Sequence, residues 1–247
     1  MSGDSSGPGR HARHFALAQV GVAGQERITR SSALLIGVGG IGCAASSYLA
    51  SSGVGHIWLC DFDTVDATNL GRQFLYGPAD IGKLKAECAA ERLAGINPDI
   101  RITPITERLA AAALADAVSN ADVVLDGSDN FATRFQVNDA CVQHGRCLIS
   151  GSAIRLEGQV AVFGPNYAEE PCYRCLYQEA DESLENCAGN GVLAAVPGVI
   201  GTLMAVETLK FLAGLESRRN RLTLYSASLG EFRSVTIAKR NECAACG

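Results

Sequence analysis

Two groups of residues in this chain have types and spacings that chemistry could use. The first is Gly37-Val38-Gly39-Gly40-Ile41-Gly42, with Asp61 some way beyond it. Gly37 permits a tight turn, Gly39 opens the backbone to a phosphate, and Gly42 lets a following helix lie close on a sheet. A helix that starts at these glycines offers unpaired N–H groups to an anion. An acid about 20 residues past the glycines, at the end of the next strand, can hold a ribose hydroxyl. Gly37, Gly39, Gly40, Gly42 and Asp61 therefore read as a nucleotide site, the alternative being a glycine-rich turn that serves packing alone. The second group is Cys172-Tyr173-Arg174-Cys175 and Cys243-Ala244-Ala245-Cys246. Each CxxC pair can present two thiolates from one tight turn to a tetrahedral zinc, and four sulfur ligands leave no open position, so such a zinc is structural. A redox pair or ordinary core cysteines are the other readings.

The elements that must position these residues follow from periodicity. Residues 33–36 are an apolar run too brief for a helix, and residues 56–60 supply a second strand that ends at Asp61. Residues 83–93 have helical spacing, residues 100–105 alternate like a strand, and residues 109–118 form another helix. Residues 121–125 are a strand that runs into Asp126-Gly127-Ser128-Asp129-Asn130, followed by a helix carrying Arg134 and Asn138 and by a strand at 147–150. Strands alternating with helices predict a mostly parallel sheet covered on both faces. Ligands on such sheets sit at the C-terminal strand ends, near the switch in strand order, which brings the Gly37 turn, Asp61 and loop 126–130 together.

The second half differs. Residues 158–163, 221–226 and 231–238 read as strands, separated by the cysteine knuckle, an acidic loop at 178–191 and a long apolar helix, so the sheet gains an antiparallel extension. Residues 13–28 form an N-terminal arm with helical pieces broken at Gly21 and Gly24, and residues 1–10 a disordered tail. The expected fold class is α/β: a Rossmann-like, mostly parallel sheet with an antiparallel C-terminal extension and a structural zinc site, in one domain over 11–247.

The 247 residues are 47% hydrophobic and 19% charged, enough for a large core, and the net charge of −5 gives no reason to expect a nucleic-acid surface. The apolar stretch 192–206 falls short of the roughly 18 residues of a membrane span and contains Pro197, Gly198 and Gly201, so no membrane is expected. Ten cysteines without a secretory signal imply a reducing, cytoplasmic compartment. Cys43, Cys60, Cys88, Cys141 and Cys147 lie in apolar or helical contexts and read as buried fillers.

Past the ribose-binding acid the chain reads Asp61-Phe62-Asp63-Thr64-Val65-Asp66-Ala67-Thr68-Asn69-Leu70-Gly71-Arg72-Gln73, with Lys85 farther on. A dehydrogenase has no general need for this set. Here the chain resembles the MoeB/ThiF/HesA family, bacterial relatives of ubiquitin-activating enzymes, and the resemblance runs from near Arg10 to the last residue. It implies ATP-dependent adenylation of the C-terminal glycine of a small ubiquitin-fold carrier protein (ThiS/MoaD-like) ending in Gly-Gly. A sulfur donor protein then makes the thiocarboxylate, for thiamine or molybdopterin-type biosynthesis.

The resemblance also implies roles. Arg72 and Lys85 contact the phosphates; Asp129 holds magnesium, with Asp126 its competitor and Asn130 beside it; Asn69 and Gln73 fix the sugar and phosphates next to Asp61 and Asp63. Arg13, in the arm, reaches the nucleotide of a neighbouring subunit and so implies a homodimer, the plain alternative being a solvated surface charge. Cys187, in the acidic loop, stands where ThiF-type members carry a cysteine that can take the activated carrier, or is an exposed loop cysteine without a role. The two CxxC pairs match the family's zinc-bearing members. The rival readings are an NAD-dependent oxidoreductase, a tRNA-modifying ATP-dependent dehydratase of the same superfamily, whose members usually lack the two CxxC pairs, and a non-catalytic scaffold.

Overall fold

Ser32–Ile36 (β1) sends Ala33 and Leu35 to one face of a sheet and Leu34 and Ile36 to the other, and all four are buried. A strand buried on both faces needs helices on both, which is why its sequence is apolar throughout instead of alternating. The computed structural model describes residues 9–178, 191–217 and 219–247. Beyond β1 the chain runs through Gly40–Ser51 (α3), His56–Cys60 (β2), Lys85–Ile96 (α4), Arg101–Ile105 (β3), Ala111–Asn120 (α5), Val123–Asp126 (β4), Phe131–His144 (α6) and Cys147–Ile154 (β5). Glu157–Phe163 (β6), Tyr173–Leu176 (α7), Ala195–Ala213 (α8), Arg221–Ser226 (β7) and Glu231–Thr236 (β8) follow, and Ala12–Ala16 (α1) and Gly21–Arg30 (α2) precede β1.

The sheet order is β3-β2-β1-β4-β5-β6-β7-β8, parallel from β3 to β5 and antiparallel from β5 onward. This is the expected parallel sheet with an antiparallel extension. One apolar layer joins the sheet to α2, α3, α4 and α8; the other joins it to α5, α6 and the segments that carry the four cysteines. The five cysteines expected as fillers are all buried. Burial pushes the Cys43 and Cys147 thiols up to about 12 and Cys60 to about 11, which makes them poor nucleophiles.

Three expectations need correction. The arm is not broken at Gly24: α2 runs through it, and Gly24 is buried where a side chain would meet Val20 and Ala213. The apolar run does not stop at 206, because α8 extends to Ala213 and is long and apolar enough, by length and composition, to cross a membrane. Packing explains that apolarity: Ile200, Met204, Ala205 and Leu212 are buried in the layer shared with α3 and β5. Strand β5 outlasts the expected 147–150 by four residues, because those residues pair with β6 after β4 has ended. The expected tail falls almost entirely outside the described residues.

Helices α3 and α8 touch backbone to backbone. A Cβ at Gly201 would stand 2.1 Å from the Ile41 carbonyl oxygen, whereas one at Gly198, a turn away, would meet nothing within 4 Å. Gly201→Ala is expected to lose about 1–3 kcal/mol through overpacking. Gly198→Ala should gain up to about 1 kcal/mol, since alanine is the better helix former. Urea unfolding of the two variants reads the opposite signs, and equal effects would contradict this packing.

Candidate active site and thiol cluster

Register builds the site. Cys60, Ile36, Asp126 and Ser150 lie in one row across β2, β1, β4 and β5. Asp61, Gly37 and Gly127 therefore leave the sheet side by side, at the switch in strand order, while β5 runs on through Gly151. Gly37 has φ +84°, and a Cβ there would press on the Gly127 carbonyl at 3.1 Å. A Cβ at Gly42 would collide with the Gly37 oxygen at 2.1 Å, so the first turn of α3 sits directly on the loop. Gly39 caps α3, and the amides that open this helix have no intrahelical acceptor, which leaves them for an anion. Gly40 also serves packing, since a Cβ there would stand 2.9 Å from Pro197 of α8.

Above this floor is a cavity of about 330 Å³. It is lined by Gly37, Gly39, Gly40, Asp61, Asp63, Asn69, Arg72, Gln73, Lys85, Asp129 and Asn130, which is every candidate nucleotide-binding residue except Gly42. Asp61 is buried and both of its oxygens are engaged: Val38 N–H donates to one at 2.7 Å and Asp63 N–H to the other at 3.0 Å. Burial raises its pKa against those bonds. Two of a carboxylate's four lone-pair sites remain for a ribose hydroxyl. Lys85 is only 7% exposed, and its Nζ donates to Asp63 Oδ2 at 3.1 Å. Arg72 Nη1 donates to the Thr68 carbonyl at 2.9 Å. Asn69 Oδ1 accepts Asp66 N–H at 3.2 Å, which turns the chain so that Arg72 and Gln73 face the cavity. Gln73 Oε1 is buried and, among the described residues, has no hydrogen-bond partner. An acceptor held ready in this way suits a hydroxyl of a nucleotide.

The loop after β4 carries the acids. Asp126 is 1% exposed and burial raises its pKa; its Oδ1 accepts Ser128 N–H at 2.9 Å, so it holds the loop and is not exposed to a ligand. Asp129 is exposed at the cavity, and Asn130 caps α6 by accepting Thr133 N–H at 2.8 Å. Of the two aspartates, Asp129 is the one whose side chain is exposed and lines the cavity. Arg13 is exposed on α1 and does not line its own chain's cavity, and Cys187 lies outside the described residues.

Phe62, Arg108, Arg134, Ser152 and Ala153 also line the cavity; sequence reasoning gives none of them a role, although it places Arg134 on the helix after loop 126–130. Arg108 stacks over Phe62 with its guanidinium carbon 4.3 Å from the ring centre, so a cation and an aromatic face stand at one wall. Ser152 and Ala153 were hidden by the shortened reading of β5. Phe62, next to Asp61, was the one with a signal.

On the other side of α6, the sulfur atoms of Cys172, Cys175, Cys243 and Cys246 all lie within 4.8 Å of one another, with Cys172–Cys243 at 3.5 Å and Cys175–Cys246 at 3.6 Å. Four thiolates about 2.3 Å from a tetrahedral zinc would be separated by about 3.8 Å, so the cluster fits a metal of that size. Burial favours the neutral thiol of Cys243, but N–H groups of Ala245 and Cys246 and the neighbouring thiols outweigh it and bring its pKa down to about 7. Lys239 Nζ lies 3.4 Å from Cys246 Sγ, and Arg240 N–H donates to Cys175 Sγ at 3.5 Å. Such donors suit sulfur that bears negative charge.

Residues 11–245 match the ThiF family. The chain belongs to that family. Its similarity to the sulfur carrier protein ThiS adenylyltransferase of Escherichia coli K12 is 41% identity over 238 residues, covering 96% of this chain and 94% of that protein. To the molybdopterin-synthase adenylyltransferase of the same organism it is 43% identical over 240 residues, covering 96% of each. The adenylyltransferase and sulfurtransferase MOCS3 of Sus scrofa is 44% identical over 242 residues, and the chain spans about half of it, 53%. Among solved structures, Escherichia coli MccB with ATP superposes with a TM-score of 0.84 at 25% identity, covering 97% of this chain and 74% of that one.

In this ThiF-family chain the thiol cluster is fastened to α6 twice. Asn138 Oδ1, fully buried, accepts Tyr173 N–H at 2.7 Å, and Arg174 makes a two-pronged pair with Asp139 at 2.7 Å on each arm. Asn138→Ala leaves a buried N–H without a partner and should cost about 1–3 kcal/mol. Arg174→Ala breaks a partly exposed pair and should cost about 1 kcal/mol or less. Urea midpoints at constant m-value check the order, and an equal or reversed ranking would refute it.

Proposed function

We propose that this chain uses ATP to adenylate the C-terminal carboxylate of a small ubiquitin-fold sulfur-carrier protein ending in Gly-Gly, releasing pyrophosphate. The observation that carries the reading is the convergence of Arg72, Lys85, Asn69, Gln73 and Asp129 on one cavity above the glycine turn. A terminal carboxylate has an ordinary pKa of about 3.5, so it is already a nucleophile at neutral pH and no general base is required. One of its oxygens attacks the α-phosphorus of ATP. As the new P–O bond forms, the bond to the bridging oxygen breaks and its electrons leave with pyrophosphate. The barrier is the approach of an anion to a polyphosphate, and fixed cations lower it when they are already in place. Lys85, leashed to Asp63, and Arg72, leashed to the Thr68 carbonyl, meet that condition. Magnesium held by Asp129 would neutralise further charge on the phosphates.

The same reading includes a structural zinc in the thiol cluster, a cytoplasmic homodimer in which Arg13 reaches the neighbour's nucleotide, and a sulfur donor acting on the adenylate. The relatives divide between one named for the sulfur carrier protein ThiS and one named for molybdopterin synthase, and they support the class of carrier without choosing one. Cys187 belongs to the later sulfur transfer, because carboxylate attack needs no thiol. An NAD-dependent oxidoreductase would use the glycine turn and Asp61 but would leave Arg72, Lys85 and the thiol cluster without a purpose.

Pyrophosphate exchange into ATP should require magnesium and a carrier with a free Gly-Gly end, and NAD should not replace ATP. Arg72→Ala, Lys85→Ala and Asp129→Ala should each slow it by roughly 10² or more, while Cys187→Ser leaves it near normal. Full exchange in Lys85→Ala would remove that residue from the reaction. Metal analysis of purified protein should give one zinc per chain, and Cys243→Ser should lose both the zinc and stability, since metal binding is coupled to folding. Mixing Arg13→Ala with Lys85→Ala chains should restore part of the exchange activity, since a mixed dimer holds one intact site. No recovery after demonstrated subunit exchange would show that Arg13 does not act across the interface.

A further inference from the structure

The loop that presents Asp129 is held from behind by one arginine. Ser128, the residue before Asp129, is fixed at both ends of its peptide unit. Its N–H donates to the buried Asp126 carboxylate at 2.9 Å, and its carbonyl accepts from Arg134 Nε at 3.2 Å and Nη2 at 2.7 Å. The residue after Asp129, Asn130, is fixed by capping α6. Asp129 itself is exposed at the cavity; its Oδ1 accepts Asn130 Nδ2 at 3.3 Å, and among the described residues it has no ion pair with a lysine or arginine. Its position is therefore inherited from its two neighbours.

Arg134 is in turn supported by the thiol cluster. Its guanidinium carbon lies 5.6 Å from the centre of the Phe131 ring. Phe131 packs on Tyr177 with ring centres 5.5 Å apart, and Tyr177 packs on Tyr173 at 5.0 Å. Tyr173 stands inside the first CxxC pair, with its backbone N–H tied to Asn138. A continuous set of contacts thus runs from the four cysteines, through three aromatic rings, to the arginine that holds the loop. Only arginine can do this. Its planar fork places two N–H groups on one carbonyl, whereas a lysine at the same place offers a single flexible point charge.

We infer that Arg134 is a positioning residue that sets Asp129 for a divalent cation, and that Tyr173 relays the state of the thiol cluster to it. This rests on the reading of Asp129 as the magnesium ligand, so the test must separate the two. Binding of manganese as a magnesium substitute, measured by electron paramagnetic resonance in the presence of ATP, reads the site directly, and the magnesium dependence of pyrophosphate exchange reads it in turnover. In the full-length protein, Arg134→Lys should weaken manganese binding and raise the magnesium concentration needed for half-maximal exchange by about five-fold or more. Zinc content and thermal midpoint should stay near wild type, and the rate at saturating magnesium should recover most of its value. Tyr173→Leu should move the magnesium requirement in the same direction, by less.

A fall in the saturating rate with unchanged magnesium dependence would overturn the inference, because Arg134 would then be acting on the substrate itself. Unchanged behaviour of Arg134→Lys in both measurements would overturn it as well. Should Asp129→Ala bind manganese and ATP as well as wild type does, the parent reading fails. If Asp129→Ala loses the cation while Arg134→Lys keeps it, only the positioning role fails.

Discussion

The contact between the Gly37 and Gly127 backbones is the constraint on which the site depends. Strands β1 and β4 are parallel neighbours whose last residues, Ile36 and Asp126, are in register. The two following loops must therefore leave the sheet together, and they fit because Gly37 has no side chain: a Cβ there would stand 3.1 Å from the Gly127 carbonyl. Gly42 extends the same logic by one layer, allowing α3 to rest on the Gly37 carbonyl. The result is a floor made of peptide groups. A floor of that kind presents N–H dipoles to a phosphate without placing a side chain in its way.

Electrostatics divides the acids around this floor into two kinds. Asp61 and Asp126 are buried, their carboxyls are pushed up by desolvation, and they accept hydrogen bonds from backbone N–H groups of the surrounding loops: Val38 and Asp63 on Asp61, Ser128 on Asp126. They shape the loops. Asp63 and Asp129 are exposed, one holding Lys85 and the other open to the cavity. Position relative to the strand end decides which kind an acid becomes: the residue at the end of the strand or just past it is buried by its neighbours in the sheet, and the residue two or three farther on is not. This arrangement engages the buried acids with the scaffold and leaves Lys85, Arg72 and the helix amides at the cavity, as the proposed binding of a polyphosphate and a second anion requires.

Much of this was legible in the sequence because each piece had a local signature. The glycine turn, the short apolar strands, Asp61 and the two CxxC pairs each follow from rules that operate over a few residues, and all of them stand where expected. The structure disagreed where tertiary packing overrides a local rule. Gly24 looks like a helix break, yet it is kept inside α2, where a Cβ would stand 3.0 Å from the Val20 side chain. The end of β5 could not be read from its own residues, since β6 alone supports its last four, and with that end Ser152 and Ala153 disappeared from the expected site. Arg134 and Arg108 carry no motif. Sequence reading places Arg134 on its helix without a role and does not single out Arg108, because a bond to a loop carbonyl and a stack on an aromatic ring are not revealed by spacing.

The most apolar helix in the chain completes the argument about why the cavity keeps its shape. Helix α8 has the length and composition of a membrane span, yet it lies against α3, β5 and β6, and each contact is closed by a glycine: Gly201 on the Ile41 carbonyl, Gly151 against Met204, Gly158 against Ile200. Its N-terminal Pro197 sits against Gly40 and also lines the cavity. The opposite wall is α6, fixed through Asn138 and Arg174 to the thiol cluster. The glycine floor is therefore clamped from one side by a helix that owes its apolarity to the core and from the other by a helix tied to a metal-sized cluster of sulfur. Preorganisation of charge requires such rigidity, because a cation that moves to meet its anion gives back in reorganisation much of what it gains in attraction.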